Sequence, residues 1–395
     1  MKKVALAFSG GLDTSFCVPY LTRERGLEVH TVLVNTGGFS DEEANRIKAH
    51  ALSLGAASHT TIDAVEEYYA KGIRYLIFGN VLKNATYPLS VSSERVFQAL
   101  AVLKHARAIG ASCVAHGSTG AGNDQVRFDL VFEVLAPDLP ILAPVRELAL
   151  SRQDEIDYLS KNGCTLAWER AKYSINQGLW GTSIGGAETL RSDTPLPASA
   201  YPSQTTTTTP TTVRIAFLKG EPAALNGEAM TPVALIRLLN AIGADYAIGR
   251  DTHVGDTIIG LKGRVAFEAA APLILIKSHH LLEKHTLTKG QLYWKEQLAG
   301  WYGQLMHEAQ YLDPLARNIE AFLEDTQKFV TGTVDVELQP GYFTLLGCSS
   351  PYDLMNATFG TYGETNRSLT GADVVGFTKV LATPLKIYYA VHEND

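Results

Sequence analysis

The sequence has little cysteine. Its four residues, Cys17, Cys113, Cys164 and Cys348, are scattered with no CxxC pair and no Cys/His cluster, which excludes a disulfide framework and a zinc site built on paired ligands. Long apolar runs are missing too: the longest, Ala269 to Ile276, is broken by Pro272 and falls short of the roughly 18 residues that a spanning helix needs. No membrane insertion is expected. The opening MKKVALAFSGG has a basic end, but Ser9 and two glycines cut its apolar stretch short of a signal-peptide core, so a cytoplasmic location is expected. Lys and Arg form no block and the formal net charge is −7. Phosphate contacts dominate nucleic-acid affinity, so no nucleic-acid partner is expected. What remains is an ordinary globular mixture, 46% hydrophobic and 19% charged over 395 residues, with room for two or three domains at about 150 residues each.

Up to about residue 165, short β-rich runs (VALAF at 4–8, VHTVLV at 29–34, HTTID at 59–63, ASCVAH at 111–116, ILAPV at 141–145) alternate with helical patterns. This is the pattern of an α/β fold with a parallel sheet and crossover helices. Ser40 and Glu43 form a capping box at the start of one such helix, and Gly55 stops it. In an open parallel sheet ligands sit beyond the carboxyl ends of the strands, so the loops after Phe8, Val34 and His116 are the places to look for chemistry. Past residue 170 the alternation ends. The threonine run 205–209, between Pro202 and Pro210, reads as a solvated connector. Beyond it, a hairpin over Val213–Glu228, a helix begun by Thr231 and Pro232, and a second hairpin over 329–347 give an α+β region.

Between the first strand and first helix lies Ser9-Gly10-Gly11-Leu12-Asp13-Thr14-Ser15. Two glycines let backbone approach an anion, the amides that follow open a helix N-terminus, and three hydroxyls add donors: a phosphate cradle. It lacks the Lys of a Walker A loop and the spacing of G-x-G-x-x-G. A Gly-Gly turn with hydroxyl capping is the plainer alternative. The block 116–128 (HGSTGAGNDQVRF) packs Thr119, Asn123, Asp124, Gln125 and Arg127 into one short span. Asn123 and Arg127, four apart on a helix, can share one ligand, and the Arg fork suits a carboxylate.

SGGLDTS resembles the pyrophosphate loop of ATP pyrophosphatases. With Tyr87-Pro88-Leu89, Ser92, Arg95, the 116–128 block and YSINQGLWGTS at 173–183, the chain most resembles the argininosuccinate synthase family over nearly its whole length. The resemblance implies a Rossmann-like ATP-binding domain of the adenine-nucleotide alpha hydrolase type over 1–168, an α+β synthetase domain over 169–365 and a C-terminal oligomerisation arm over 366–395. It implies a homotetramer and the ligation of citrulline to aspartate through citrullyl-AMP, with Mg²⁺ screening ATP. Ala7, Phe8, Ser9, Gly10, Gly11, Leu12, Asp13, Thr14, Ser15, Val34 and Gly117 would line ATP. Thr119, Asn123 and Asp124 would hold aspartate, and Tyr87, Ser92, Asn123, Arg127, Ser174 and Ser183 would hold citrulline. Asp13, Asp124 and Arg127 would carry the catalytic charges.

The chain also departs from that family. Gly255 and Phe267 stand where a citrulline-binding Glu and Tyr are usual, and Asn176-Gln177 replaces an acidic pair. Either Asp256 takes over the pairing with the substrate's ammonium, or the substrate is an N-acylated citrulline that needs none. Pro19 is expected to strain the first helix, while Gly37 and Gly38 should leave room for adenosine. His279 and His280 read as solvated, and the aromatics of 290–307 as packing or subunit contact. His116 reads equally as a structural hydrogen-bonder and as a catalyst. Another pyrophosphate-loop ligase, or a nucleotide-binding protein without turnover, are the rival readings.

Overall fold

The five apolar runs fold as strands β1 (Lys3–Ala7), β2 (Glu28–Asn35), β3 (Ser58–Asp63), β4 (Cys113–Ala115) and β5 (Ile141–Leu142) of one sheet in the order β3-β2-β1-β4-β5. All its pairings are parallel. β1 and β2 are buried almost throughout, as strands covered on both faces must be, which is why they read as continuous apolar runs. The last run yields the shortest strand, because Pro144 has no N–H for the ladder and instead opens a helix at Pro144–Glu147. β1 has β2 on one side and β4 on the other. The loops after β1 and β4 therefore part at the point where the strand order reverses and leave a crevice there.

Helix α1 (Leu12–Arg23) runs through Pro19 without a break. Helix α2 (Asp41–Ser53) starts at the expected capping box, in which the Ser40 N–H donates to Glu43 at 2.8 Å and the Glu43 N–H to the Ser40 hydroxyl at 3.2 Å.

The computed structural model describes residues 1–164, 172–356, 360, 362–364 and 368–392. Met1–Ser350 form one compact unit and Pro351–Asp395 another. The expected domain boundaries at 168/169 and 365/366 lie outside the described residues.

In the larger unit the parallel sheet is followed by antiparallel structure. Strands β6 (Ser174–Gly178), β7 (Gly181–Gly185), β8 (Thr211–Leu218), β9 (Glu221–Leu225), β10 (Glu228–Ala229), β11 (Arg250–Asp256), β12 (Lys262–Glu268), β13 (Gly332–Gln339) and β14 (Tyr342–Ser349) make two sheets, β10-β9-β8-β13-β14 and β11-β12-β7-β6. The two expected hairpins are β8–β9, turning at Gly220 with φ +81°, and β13–β14. Thr231 caps the helix Pro232–Asp245. The threonine run has no regular structure and is largely exposed.

Two expectations about surface residues need correction or division. His279 is not solvated: it is fully buried on the helix Ala270–Thr286, its ring nitrogens 2.6 Å from the Asn80 amide oxygen and 2.8 Å from that of Gln327. A core polar network claims it. Of the aromatic cluster, Tyr302 is buried in the core, whereas Tyr293, Trp294 and Trp301 are exposed. In the smaller unit, Thr370 caps the helix Gly371–Val391, which buries none of its side chains.

Candidate active site

Gly10 turns the loop after β1 with φ +78°, and a Cβ there would stand 3.2 Å from Ile47 of α2, so only glycine fits the position comfortably. Gly11 caps α1 without a side-chain bond, which leaves the first amides of the helix open to the crevice. Ser9 and Thr14 hold their hydroxyls 3.5 Å apart there. Across the crevice, a Cβ on Gly117 would lie 3.0 Å from the Asp13 carbonyl carbon and the Thr14 nitrogen. The loops after β1 and β4 thus meet backbone to backbone.

A cleft of about 990 Å³ opens at this point, lined by Ala7, Phe8, Ser9, Gly11, Leu12, Asp13, Thr14, Val34 and Gly117, together with Thr119, Asn123, Asp124, Arg127 and Ser174. Gly10 and Ser15 do not line it. Ser15 is fully buried, with its hydroxyl 2.8 Å from His50 Nε2, so it braces α1 against α2. His116 bonds Asp129 at 2.8 Å and accepts the Ser118 N–H, which makes it the support of its loop.

Asp13 meets a residue that the sequence did not single out, Glu155 on the helix Arg152–Lys161. Burial, and then the Asp13 charge, push Glu155 up to about 8, and burial raises Asp13 as well. At neutral pH Glu155 is therefore a neutral donor to the Asp13 carboxylate.

Beside the loop stands a clamp of charges. Asp124 accepts from Arg127 Nη1 at 2.7 Å and from Arg95 Nε at 3.0 Å. Burial alone would raise its pKa, but the two guanidiniums outweigh burial and hold it well below the usual range. Arg95 also donates to Glu94 at 2.8 Å and to Asn176 at 3.2 Å. The other Glu94 oxygen accepts from Thr36 at 2.8 Å, and burial lifts this carboxyl to about 7 despite Arg95. Arg127 Nε donates to the His307 carbonyl at 3.0 Å, and Asn123 accepts the Ile258 N–H at 2.9 Å.

Gly38 lines the cleft, and it and Gly37 also carry a packing duty that the sequence did not announce. A Cβ on Gly38 would stand 1.9 Å from the Gln177 carbonyl oxygen, and one on Gly37 2.8 Å from Leu179 Cβ. The room they leave is filled by the backbone of the β6–β7 hairpin.

A smaller cavity of about 270 Å³ adjoins the cleft and shares Arg95, Gly122, Asn123, Asp124, Arg127 and Asn176 with it. Tyr87, Ser92 and Ser183 line this cavity, whereas Ser174 faces only the larger cleft. The Tyr87 and Ser183 hydroxyls lie 3.3 Å apart, and the Tyr87 ring stacks on His253 at 5.1 Å. Asp256 borders this cavity from its rim. Strand alternation turns His253 and Gly255 to the buried face and Asp256 to the exposed one, where it pairs with Lys262 at 2.7 Å. Phe267 is fully buried behind Tyr87.

This geometry can be set beside known proteins. A model described as the arginosuccinate synthase N-terminal HUP domain matches residues 3–165, and one described as the arginosuccinate synthase C-terminal domain matches residues 173–388. The chain belongs to the argininosuccinate synthase family. It is 38% identical to the argininosuccinate synthase of Xanthomonas campestris pv. campestris, over 99% of each chain. It is 37% identical to those of Methanocaldococcus jannaschii, over 98% of each chain, and Dictyoglomus turgidum, over 98% of this chain and 97% of that one. The family's HUP domain corresponds to the five-stranded parallel sheet, and its C-terminal domain to the antiparallel sheets and their helices.

Proposed function

We propose that the chain joins a citrulline-type ureido acid to aspartate with ATP, releasing AMP and pyrophosphate through an adenylated ureido intermediate. The observation that carries this reading is the sharing of one clamp, Arg95, Asn123, Asp124 and Arg127, by the cavity and the cleft beside the glycine loop. A ureido group reaching out of the cavity meets a nucleotide whose phosphates lie on that loop. Ala7, Phe8, Leu12, Val34 and Gly117 would wall ATP, and Ser9, Thr14 and the open amides of α1 would hold the departing pyrophosphate. Thr119, Asn123 and Asp124 would hold aspartate, and Tyr87, Ser92, Arg127 and Ser183 the ureido acid.

In the first step the ureido oxygen attacks the α-phosphorus, and the bond to pyrophosphate breaks as the new P–O bond forms. In the second, the aspartate amine attacks the ureido carbon and AMP leaves. Neither step needs an enzyme nucleophile. Catalysis then rests on alignment and on donors fixed where charge develops. Mg²⁺ favours carboxylate and phosphate oxygens, and Asp13, the carboxylate of the phosphate loop, is the donor that fits. When bound, the ion would screen the triphosphate. A homotetramer in the cytoplasm belongs to the same reading, and among the described residues no helix is long and apolar enough to cross a membrane. Product analysis tests the proposal: AMP and pyrophosphate should form only when both amino acids are present, and ADP with phosphate would overturn it.

A further inference from the structure

The small cavity can be described by its charges. Two carboxylates border it, and both are committed: Asp124 to Arg95 and Arg127, and Asp256, on the outward face of β11, to Lys262. Gly255 supplies no third, and the His253 ring lies over it: a Cβ there would meet its Nε2 at 2.6 Å, so a side chain at 255 would have to displace that ring. The surroundings are cationic in effect. Burial and then Lys83 lower the pKa of His253, while burial, Arg127 and Lys83 push His307 down to about 3. Both imidazoles are therefore neutral, and a substrate ammonium placed among them would have no uncommitted counter-charge.

The cavity instead offers unused hydrogen-bonding atoms. Ser92 Oγ, His253 Nδ1 and His307 Nδ1 are buried with no partner among the described residues, and their residues are 5%, 6% and 5% exposed. Native interiors rarely leave such atoms unmatched, so a ligand is the natural source of the missing bonds. One hydroxyl and two neutral imidazoles suit an amide, which presents one N–H and one carbonyl, better than they suit a cation. Arg127 is already fixed in orientation by its bonds to Asp124 and the His307 carbonyl, and its remaining donors suit a carboxylate.

We propose that this cavity takes a ureido acid whose α-nitrogen is an amide: an N-acylated, net-anionic citrulline in place of the free zwitterion. The inference rests on the ligase reading and narrows its substrate. The acyl amide matches Ser92 and the two histidines, the α-carboxylate matches Arg127, and the ureido end emerges at the clamp. The ligation steps are unchanged, since the acyl group takes no part in them.

The test uses the full-length protein with ATP and aspartate, and compares pyrophosphate release on citrulline, N-acetylcitrulline and N-succinylcitrulline. At least one acylated substrate should exceed citrulline in kcat/KM by about tenfold or more, the discrimination expected when a charged group lacks its hydrogen-bonding partner. An equal or higher value for free citrulline overturns this inference and leaves the ligase reading standing. No pyrophosphate from any of the three overturns both. A His253→Ala/Gly255→Glu double variant places a carboxylate where the ring now lies, and should swing the ratio towards free citrulline by about tenfold to a hundredfold. An unchanged ratio in the folded variant would refute the position assigned to the α-nitrogen.

Discussion

At the scale of single residues, the pair of Asp13 and Glu155 shows where packing adds what a motif cannot. SGGLDTS was legible because a loop that turns at positive φ, exposes helix amides and carries hydroxyls admits few residue types. Glu155 was not legible, since a glutamate in the first turn of a polar helix usually faces water, and only the packing of that helix against α1 buries it. Its proton has a predictable consequence. The folded pKa, about 8, lies above the ordinary 4.5, so the proton is held through neutrality and released as pH rises through about 8. Two carboxylates then face each other, and turnover should fall. Glu155→Gln keeps a donor to Asp13 at every pH, so the alkaline limb of kcat/KM for ATP should disappear; persistence of that limb would assign it elsewhere. Stability follows the same sign. The unfolded chain releases this proton first, so the wild type loses stability between about pH 4.5 and 8. The Gln variant should therefore gain more in Tm at pH 8 than at pH 5.

Elements were easier to read than their neighbours. The capping box of α2, the Thr231 cap and the hairpin glycines are local rules, and they hold locally. Contacts between distant elements left no such mark: nothing in Asn-Thr-Gly-Gly announces that a hairpin about 140 residues downstream will lie on it, as Gln177 lies on Gly38. His279 was misread for the same reason, since its partners Asn80 and Gln327 are remote in sequence. Gly38→Ala tests the contact. Its methyl would stand 1.9 Å from a carbonyl oxygen, and because the obstacle is backbone the hairpin itself must shift, at a cost of about 1–3 kcal/mol. As that hairpin carries Asn176 and Ser183, KM for the ureido acid should rise together with the loss of Tm. A lower Tm with unchanged KM would separate the hairpin from substrate binding.

For the whole molecule, the helix Gly371–Val391 presents Val375, Phe377, Val380, Leu381 and Tyr389 to solvent. An apolar surface of that length is expected to be covered in an oligomer. Deleting residues 371–395 should lower the mass measured by light scattering, and a monomeric wild type would refute the assignment. Glu94 also acts at this scale. It joins Thr36, after β2, to Arg95, in the clamp shared by the cleft and the smaller cavity where the proposal puts ATP and the ureido acid. Two ligands that each firm one end of a shared carboxylate obey a thermodynamic cycle: the factor by which ATP sharpens the affinity for the ureido acid must equal the factor by which the ureido acid sharpens the affinity for ATP. Titrating a non-hydrolysable ATP analogue with and without the ureido acid gives one factor, and the converse titration gives the other. Glu94→Gln should shrink the two factors together, so that each site fills without regard to the other.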